Sequence, residues 1–236
     1  MGRIASAAFY ATIGRMTIFP LQCVVFDLDG TIADTAPDLV AALNHTLAAM
    51  DRPTLPFAAV RAMVGHGTRT LLRRGLAATG AADDALVEHG YPILMGYYEA
   101  HICDHSRPYP GVGEAMDTLG AAGVTLALCT NKPERAARML VDTLGWQARF
   151  AAIVGGDTLP VAKPDPAPLH LAIARAGGGA AALVGDSIVD MQTAAAAGIP
   201  GIAVTFGYAD RPIDQLGATA TIDHFDELAD VLRALG

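Results

Sequence analysis

Cys23-Val24-Val25-Phe26-Asp27-Leu28-Asp29-Gly30-Thr31 sets a short apolar run directly against two carboxylates. The run is continuous rather than alternating, as expected of a strand buried on both faces of a parallel sheet. Comparable runs recur at Val124 to Cys129, Ala151 to Val154, Ala181 to Val184 and Ile202 to Thr205, with helical stretches between them. Strands alternating with helices predict an α/β fold: a Rossmann-like parallel sheet with helices on both faces.

In open parallel sheets, ligands sit beyond the carboxyl ends of the strands, at the point where strand order reverses. The residues that follow each run are therefore the candidates for chemistry. They read Asp27-Leu28-Asp29-Gly30-Thr31, Thr130-Asn131-Lys132, Gly155-Gly156-Asp157, and Gly185-Asp186-Ser187 with Asp190 beyond. Asp27 and Asp29, two positions apart on extended chain, point the same way, and Gly30 lets the chain turn sharply after them. An isolated pair of this kind reads as an Asx-type turn that caps the next helix. With Thr130, Lys163 and Asp186 also following apolar runs, a shared site is the better reading. Clustered carboxylates repel unless a cation or proton intervenes, so Asp27, Asp29, Asp186 and Asp190 call for a hard divalent ion. Mg²⁺ suits oxygen-only ligands.

Between Asp34 and Arg107 the texture changes. No β-branched run appears, while Leu, Ala, Met and His recur at helical spacing, broken at Pro53, Pro56, Gly65, Gly67 and Gly80. This segment predicts a small all-helical domain inserted after the first strand, joined to the core through Thr35 to Pro37 and Arg107 to Gly111. The expected division is a tail at residues 1–15, a core of 16–34 and 107–236, and a helical cap of 35–106. Thr68 is the expected N-cap of a cap helix.

The chain of 236 residues is 52% apolar and 17% charged, which places it among globular rather than disordered proteins. A net charge of −8 disfavours nucleic acid and anionic membrane as partners. No apolar run reaches the 18 residues needed to span a bilayer. Three scattered cysteines, Cys23, Cys103 and Cys129, fit neither a disulfide framework nor a zinc site, and a reducing, cytoplasmic setting suits them. The seven histidines form no metal-binding spacing, and only His66 lies near a candidate loop.

The basic residues comprise 14 arginines but only two lysines, Lys132 and Lys163. Where arginine is the default cation, a retained lysine points to a place that needs a compact ammonium. Lys163 reads as functional. Lys132 reads equally as a site residue or as a solvated residue ahead of a helix opening at Pro133.

The four segments Asp27-Leu28-Asp29-Gly30-Thr31-Ile32-Ala33-Asp34, Leu128-Cys129-Thr130-Asn131, Lys163-Pro164 and Gly185-Asp186-Ser187-Ile188-Val189-Asp190 resemble, in order and spacing, the motifs of the haloacid dehalogenase superfamily. The resemblance spans residues 18–236, and the helical insertion resembles that family's type-one cap. It implies that Asp27 is a nucleophile that forms an aspartyl phosphate, and that Asp29 protonates the leaving group and later deprotonates water. It further implies Mg²⁺ held by the Asp27 carboxylate, the Asp29 main-chain carbonyl and Asp186, with Asp190 in support. Thr130 and Asn131 would bind phosphoryl oxygens, and Lys163 would offset charge on the phosphoryl group and Asp27.

The second aspartate of the first motif is missing from the family's dehalogenases, so Asp29 favours phosphate esters. Thr130-Asn131-Lys132-Pro133, Gly155-Gly156-Asp157, Lys163 to Leu169 and Thr205-Phe206-Gly207-Tyr208 look most like the bacterial phosphoglycolate phosphatases. The expectation is Mg²⁺-dependent hydrolysis of a small phosphorylated metabolite, 2-phosphoglycolate first, by a monomer or homodimer. A β-phosphoglucomutase-like mutase, a phosphatase for another sugar phosphate or for pyrophosphate, and a non-catalytic binding protein are the alternatives. In the cap, Arg69 either pairs with the substrate carboxylate or belongs with Arg73 and Arg74 to a solvated helix face.

Overall fold

The computed structural model describes residues 19–209 and 211–235, so the expected tail at 1–15 lies outside the described residues. Strand β1 (Cys23–Phe26) is followed by the short β2 (Ala33–Asp34) and by helices α1 (Ala36–Ala49), α2 (Phe57–Arg61), α3 (Thr68–Thr79) and α4 (Asp84–Ala100). The chain returns through β3 (Arg107–Pro108), α5 (Val112–Ala121), β4 (Thr125–Cys129), α6 (Glu134–Thr143) and β5 (Ala152–Val154). It then runs through α7 (Ala167–Arg175), β6 (Ala181–Gly185), α8 (Ile188–Ala196), β7 (Gly201–Val204), β8 (Ala220–Ile222) and α9 (Leu228–Arg233).

Six strands form one sheet in the order β5-β4-β1-β6-β7-β8, with every neighbouring pair parallel. Strand β1 lies between β4 and β6, so the strand order reverses beside it. Its side chains are wholly buried, Val24 and Phe26 in one apolar cluster with Met116 and Leu119 of α5, Cys23 and Val25 in another with Leu169 and Ala172 of α7. At roughly 1.5–3 kcal/mol for each fully buried large apolar side chain, this strand anchors the carboxylates that follow it against their mutual repulsion.

The inserted helices pack on one another, α1 against α2, α3 and α4, and α3 against α4. At the junctions with the sheet, β2 and β3 pair antiparallel, Ala33 with Pro108 and Asp34 with Arg107. Asp38 on α1 reinforces the crossing by accepting from the Ser106 N–H (2.7 Å) and hydroxyl (2.6 Å) and from the His105 N–H (3.0 Å). Two connecting details differ from expectation. The entering connection does not run to Pro37, because α1 begins at Ala36. The cap of α3 is Gly67 rather than Thr68: Gly67 holds φ +86°, where a side chain is strained, and Thr68 is already helical with its hydroxyl 3.3 Å from that of Tyr91.

Strand β8 has no counterpart in the expected strands. It is a three-residue edge strand, only Ile222 of which is buried. Among the described residues no helix is long and apolar enough to cross a membrane.

Candidate active site

Phe26 sits in register with Leu128 of β4 and Val184 of β6, so the chain leaves all three central strands at one level. Asp27, Thr130 and Asp186 consequently emerge side by side. Ligand oxygens of Asp27, Asp186 and Asp190 lie within 4.8 Å of one another, and the three residues are 4%, 1% and 0% exposed. No other group of metal-ligating side chains this close occurs among the described residues.

Each carboxylate is held separately. The Thr31 hydroxyl donates to Asp186 Oδ1 (3.1 Å) and the Tyr208 N–H to Asp186 Oδ2 (2.6 Å). Gly30 holds φ +81°, and a Cβ there would lie 2.3 Å from Asp186 Oδ2, so the tight turn after the paired aspartates admits only glycine. Asp190 sits in the first turn of α8, where it forms a capping box: its Oδ2 accepts from the Ser187 N–H (3.1 Å) and hydroxyl (2.6 Å). Its Oδ1 accepts from Lys163 Nζ at 2.6 Å, and the same ammonium lies 3.0 Å from Asp27 Oδ1. Asp27 Oδ1 is buried without a hydrogen-bond partner among the described residues.

Burial pushes the Asp27 carboxyl up to about 6, against the pull of Lys163, with Asp190 and Asp29 adding to the rise. Burial, then Asp190 and Asp27, likewise raise Asp186 well above the usual carboxylate range. Burial opposes the Lys163 charge, yet Asp190 and Asp27 hold the ammonium above its ordinary value. With Asp29, four carboxylates face two ammoniums, and the formal excess of two negative charges is what one divalent cation would offset. A buried carboxylate oxygen that accepts no hydrogen bond and an all-oxygen donor set fit Mg²⁺.

Asp29 lies on the side facing the inserted helices. Its Oδ1 accepts from the Thr35 hydroxyl (2.6 Å) and from Lys132 Nζ (2.7 Å). The Lys132 side chain is 0% exposed and its ammonium sits 4.7 Å from the ring centre of Tyr98 on α4. This corrects the solvated alternative for Lys132: the helix does open at Pro133, but the side chain turns inward. Burial works against its charge, and Asp29 nevertheless lifts it above the ordinary lysine range.

The other expected residues fall nearby in different ways. Thr130 is buried, and its hydroxyl accepts from the Lys132 N–H (3.2 Å). The Asn131 amide pairs reciprocally with the Lys163 main chain, donating to its carbonyl (3.1 Å) and accepting from its N–H (3.0 Å). Arg69 lines a cleft of about 290 Å³ together with His66, Asn131 and Lys163. Its guanidinium bonds Glu88 and stacks 3.9 Å from the ring centre of Tyr91, at the solvent-exposed rim.

Sequence reasoning assigned no role to Thr35 or Tyr208. Tyr208 touches both Asp186, through its N–H, and the entry to the insertion: its hydroxyl donates to Asp34 Oδ1 (2.6 Å) and accepts from the N–H groups of Thr35 (2.6 Å) and Ala36 (2.8 Å). Arg61 of α2 lies over its ring and donates to the Gly207 carbonyl (2.8 Å). The Gly155-Gly156-Asp157 segment is structural, since Asp157 Oδ1 accepts from the Glu134 N–H at the start of α6 (2.7 Å) and a Cβ on Gly156 would lie 2.4 Å from the Asn131 carbonyl oxygen.

Residues 21–198 match the haloacid dehalogenase-like hydrolase family. A phosphoglycolate phosphatase of Mesorhizobium japonicum is 46% identical over 222 residues, covering 90% of this chain and 97% of that protein. One from Caulobacter vibrioides is 45% identical, covering 86% of each. The crystal structure of a predicted phosphoglycolate phosphatase from Haemophilus somnus superposes with a TM-score of 0.84 at 28% identity, covering 90% of this chain and 98% of the other.

Proposed function

Because this chain belongs to the haloacid dehalogenase-like hydrolases, we propose that it hydrolyses 2-phosphoglycolate to glycolate and phosphate, with Mg²⁺, through an aspartyl phosphate on Asp27. The observation that carries this reading is Asp27 itself, a buried carboxylate beside Lys163, Asp186 and Asp190 at the end of the central strand. Similarity over nearly the whole length to proteins named phosphoglycolate phosphatase supports the substrate.

Mg²⁺ bound by the Asp27 and Asp186 carboxylates and the Asp29 main-chain carbonyl would neutralise charge on the phosphoryl oxygens. Lys163 adds a fixed positive charge beside Asp27, and Asp190 holds that ammonium in place. Thr130 and Asn131 bind phosphoryl oxygens; with the Asn131 amide committed to Lys163, its main-chain N–H serves that contact. Asp27 attacks phosphorus as the ester P–O bond breaks, and Asp29 gives a proton to the departing glycolate oxygen. Asp29 then takes a proton from water as that water attacks phosphorus, which releases phosphate and restores the Asp27 carboxylate. Such chemistry asks mainly for in-line placement and charge stabilisation.

Residues 35–106 act as a cap that closes over this site. Arg69 stands at its mouth, where an anionic substrate enters. The three unpaired cysteines suit a reducing cytoplasm.

The test is a panel of about 20 phosphorylated metabolites ranked by kcat/KM, the ratio that measures discrimination. The expected result is at least about a tenfold preference for 2-phosphoglycolate over sugar phosphates, with phosphate released and no bisphosphate activator needed. A smaller preference overturns the substrate, and a requirement for the bisphosphate points to a mutase instead.

A further inference from the structure

Next to Asp29 lies a small cavity between the sheet and the inserted helices. Leu39, Val64 and Leu71 give it apolar walls, and its polar side chains are Asp29, Lys132 and Thr68. It offers about 10 Å³ to the centre of a water-sized group, room for about one water, so a substrate tail enters it only as the insertion lifts. Its one cation is the Lys132 ammonium.

That ammonium has three N–H donors. One goes to Asp29 at 2.7 Å, and a second faces Tyr98, whose ring and hydroxyl lie beside the ammonium. A fully buried lysine with a donor to spare, lining a cavity beside the leaving-group acid, is suited to an anion carried by the substrate. The Arg69 guanidinium, by contrast, already serves Glu88 and Tyr91 at the exposed rim.

We propose that Lys132 and Thr68 form the leaving-group subsite and that Lys132 selects esters carrying a carboxylate on the carbon that bears the ester oxygen. The inference rests on the hydrolase reading above and deepens it. Distance sets the class: Lys132 is one hydrogen bond from the carboxylate that protonates the ester oxygen, so an anion close to that oxygen falls within its reach. A carboxylate one methylene further out is expected to fit less well, because Leu39, Val64 and Leu71 make the cavity walls apolar.

Three esters test this: 2-phosphoglycolate, its neutral counterpart 2-hydroxyethyl phosphate, and the phosphate ester of 3-hydroxypropionate. Lys132→Met is expected to lose roughly 10- to 100-fold more kcat/KM on 2-phosphoglycolate than on 2-hydroxyethyl phosphate, mostly through KM, the range for losing a charged hydrogen-bond partner. Arg69→Ala should change both alike. Equal losses from Lys132→Met would mean that it acts only by holding Asp29 and would overturn the subsite, as would Arg69→Ala abolishing the selectivity instead. The parent enzyme decides the matter even if Lys132→Met fails to fold. A preference for 2-phosphoglycolate over the longer ester of about tenfold or more supports the subsite, and equal or reversed preference overturns it. A parent that favours sugar phosphates refutes the assigned substrate while the ratios between these three esters still judge Lys132.

Discussion

Lys163 Nζ donates to Asp190 Oδ1 at 2.6 Å while facing Asp27 Oδ1 at 3.0 Å, so the residue that completes the capping box of helix α8 also aims the ammonium at Asp27. Breaking a buried ion pair strands its remaining partner, at a cost of about 3–5 kcal/mol. Asp190→Ala is therefore expected to lower unfolding free energy by several kcal/mol and activity by at least about 100-fold, whereas Asp190→Asn, which keeps an acceptor for Ser187, recovers part of the stability. Denaturant titration with steady-state assays checks this. Wild-type activity in Asp190→Ala would remove Asp190 from the positioning of Lys163.

Asp27→Asn keeps the shape of the side chain and removes the attacking oxygen. Turnover of any phosphate ester should fall by at least ~1000-fold with the fold intact by circular dichroism. Retained turnover would exclude Asp27 as the nucleophile.

The metal-free protein should gain stability as pH falls through the Asp27 range. The folded chain holds this carboxyl at about 6 against its ordinary value of 3.8, so the folded state binds the proton more tightly than the unfolded. The penalty is full above about 6 and is relieved between 6 and 3.8, on the order of 3 kcal/mol for this group. Melting curves in chelator from pH 7.5 to 5 should show the rise in the parent and a smaller one in Asp27→Asn. Added Mg²⁺ should raise Tm more at pH 7.5 than at pH 5, because protons and cation compete for the same oxygens. Parallel profiles in parent and variant would contradict the assignment.

Tyr208→Phe removes a hydroxyl that accepts two main-chain N–H groups and donates to Asp34. Buried donors left without a partner cost about 1–3 kcal/mol each before relaxation, so a loss of roughly 2 kcal/mol is expected. The Tyr208 N–H that holds Asp186 is retained, so affinity for Mg²⁺, read by titration calorimetry, should change less than stability. The reverse ordering would separate Tyr208 from the entry to the insertion.

Gly30→Ala places a methyl group against Asp186 Oδ2 at a positive φ. The expected outcome is weaker Mg²⁺ binding together with lower stability, measured in the same titration. Unchanged affinity would mean that Asp186 does not depend on this turn.

Both the sheet and the site follow from the apolar runs and the polar residues after them, because strands buried on two faces leave an unbroken apolar signature. Cys23–Phe26 forms with the boundaries the pattern predicts. Strand β8 left no such mark, being short and half-exposed at an edge, and β2 and β3 are too short for any periodicity. The carboxylates and Lys163 were legible because their types and positions imply charge that must be matched. Lys132 was not, since one residue before a helix reads the same whether its side chain turns in or out. Thr35 and Tyr208 act through contacts with partners far off in sequence or across a turn, which residue type alone does not disclose.

The pairing of Ala33 with Pro108 and Asp34 with Arg107 makes the chain leave and re-enter the sheet through a single doorway. The sheet therefore feels only the width of that doorway, not the length or contents of what lies beyond, and the entropy of closing the excursion rises only slowly with its size. Whatever helical cassette is mounted there is joined by the same two rails, so a change in its loops need not disturb the strands that carry the aspartates.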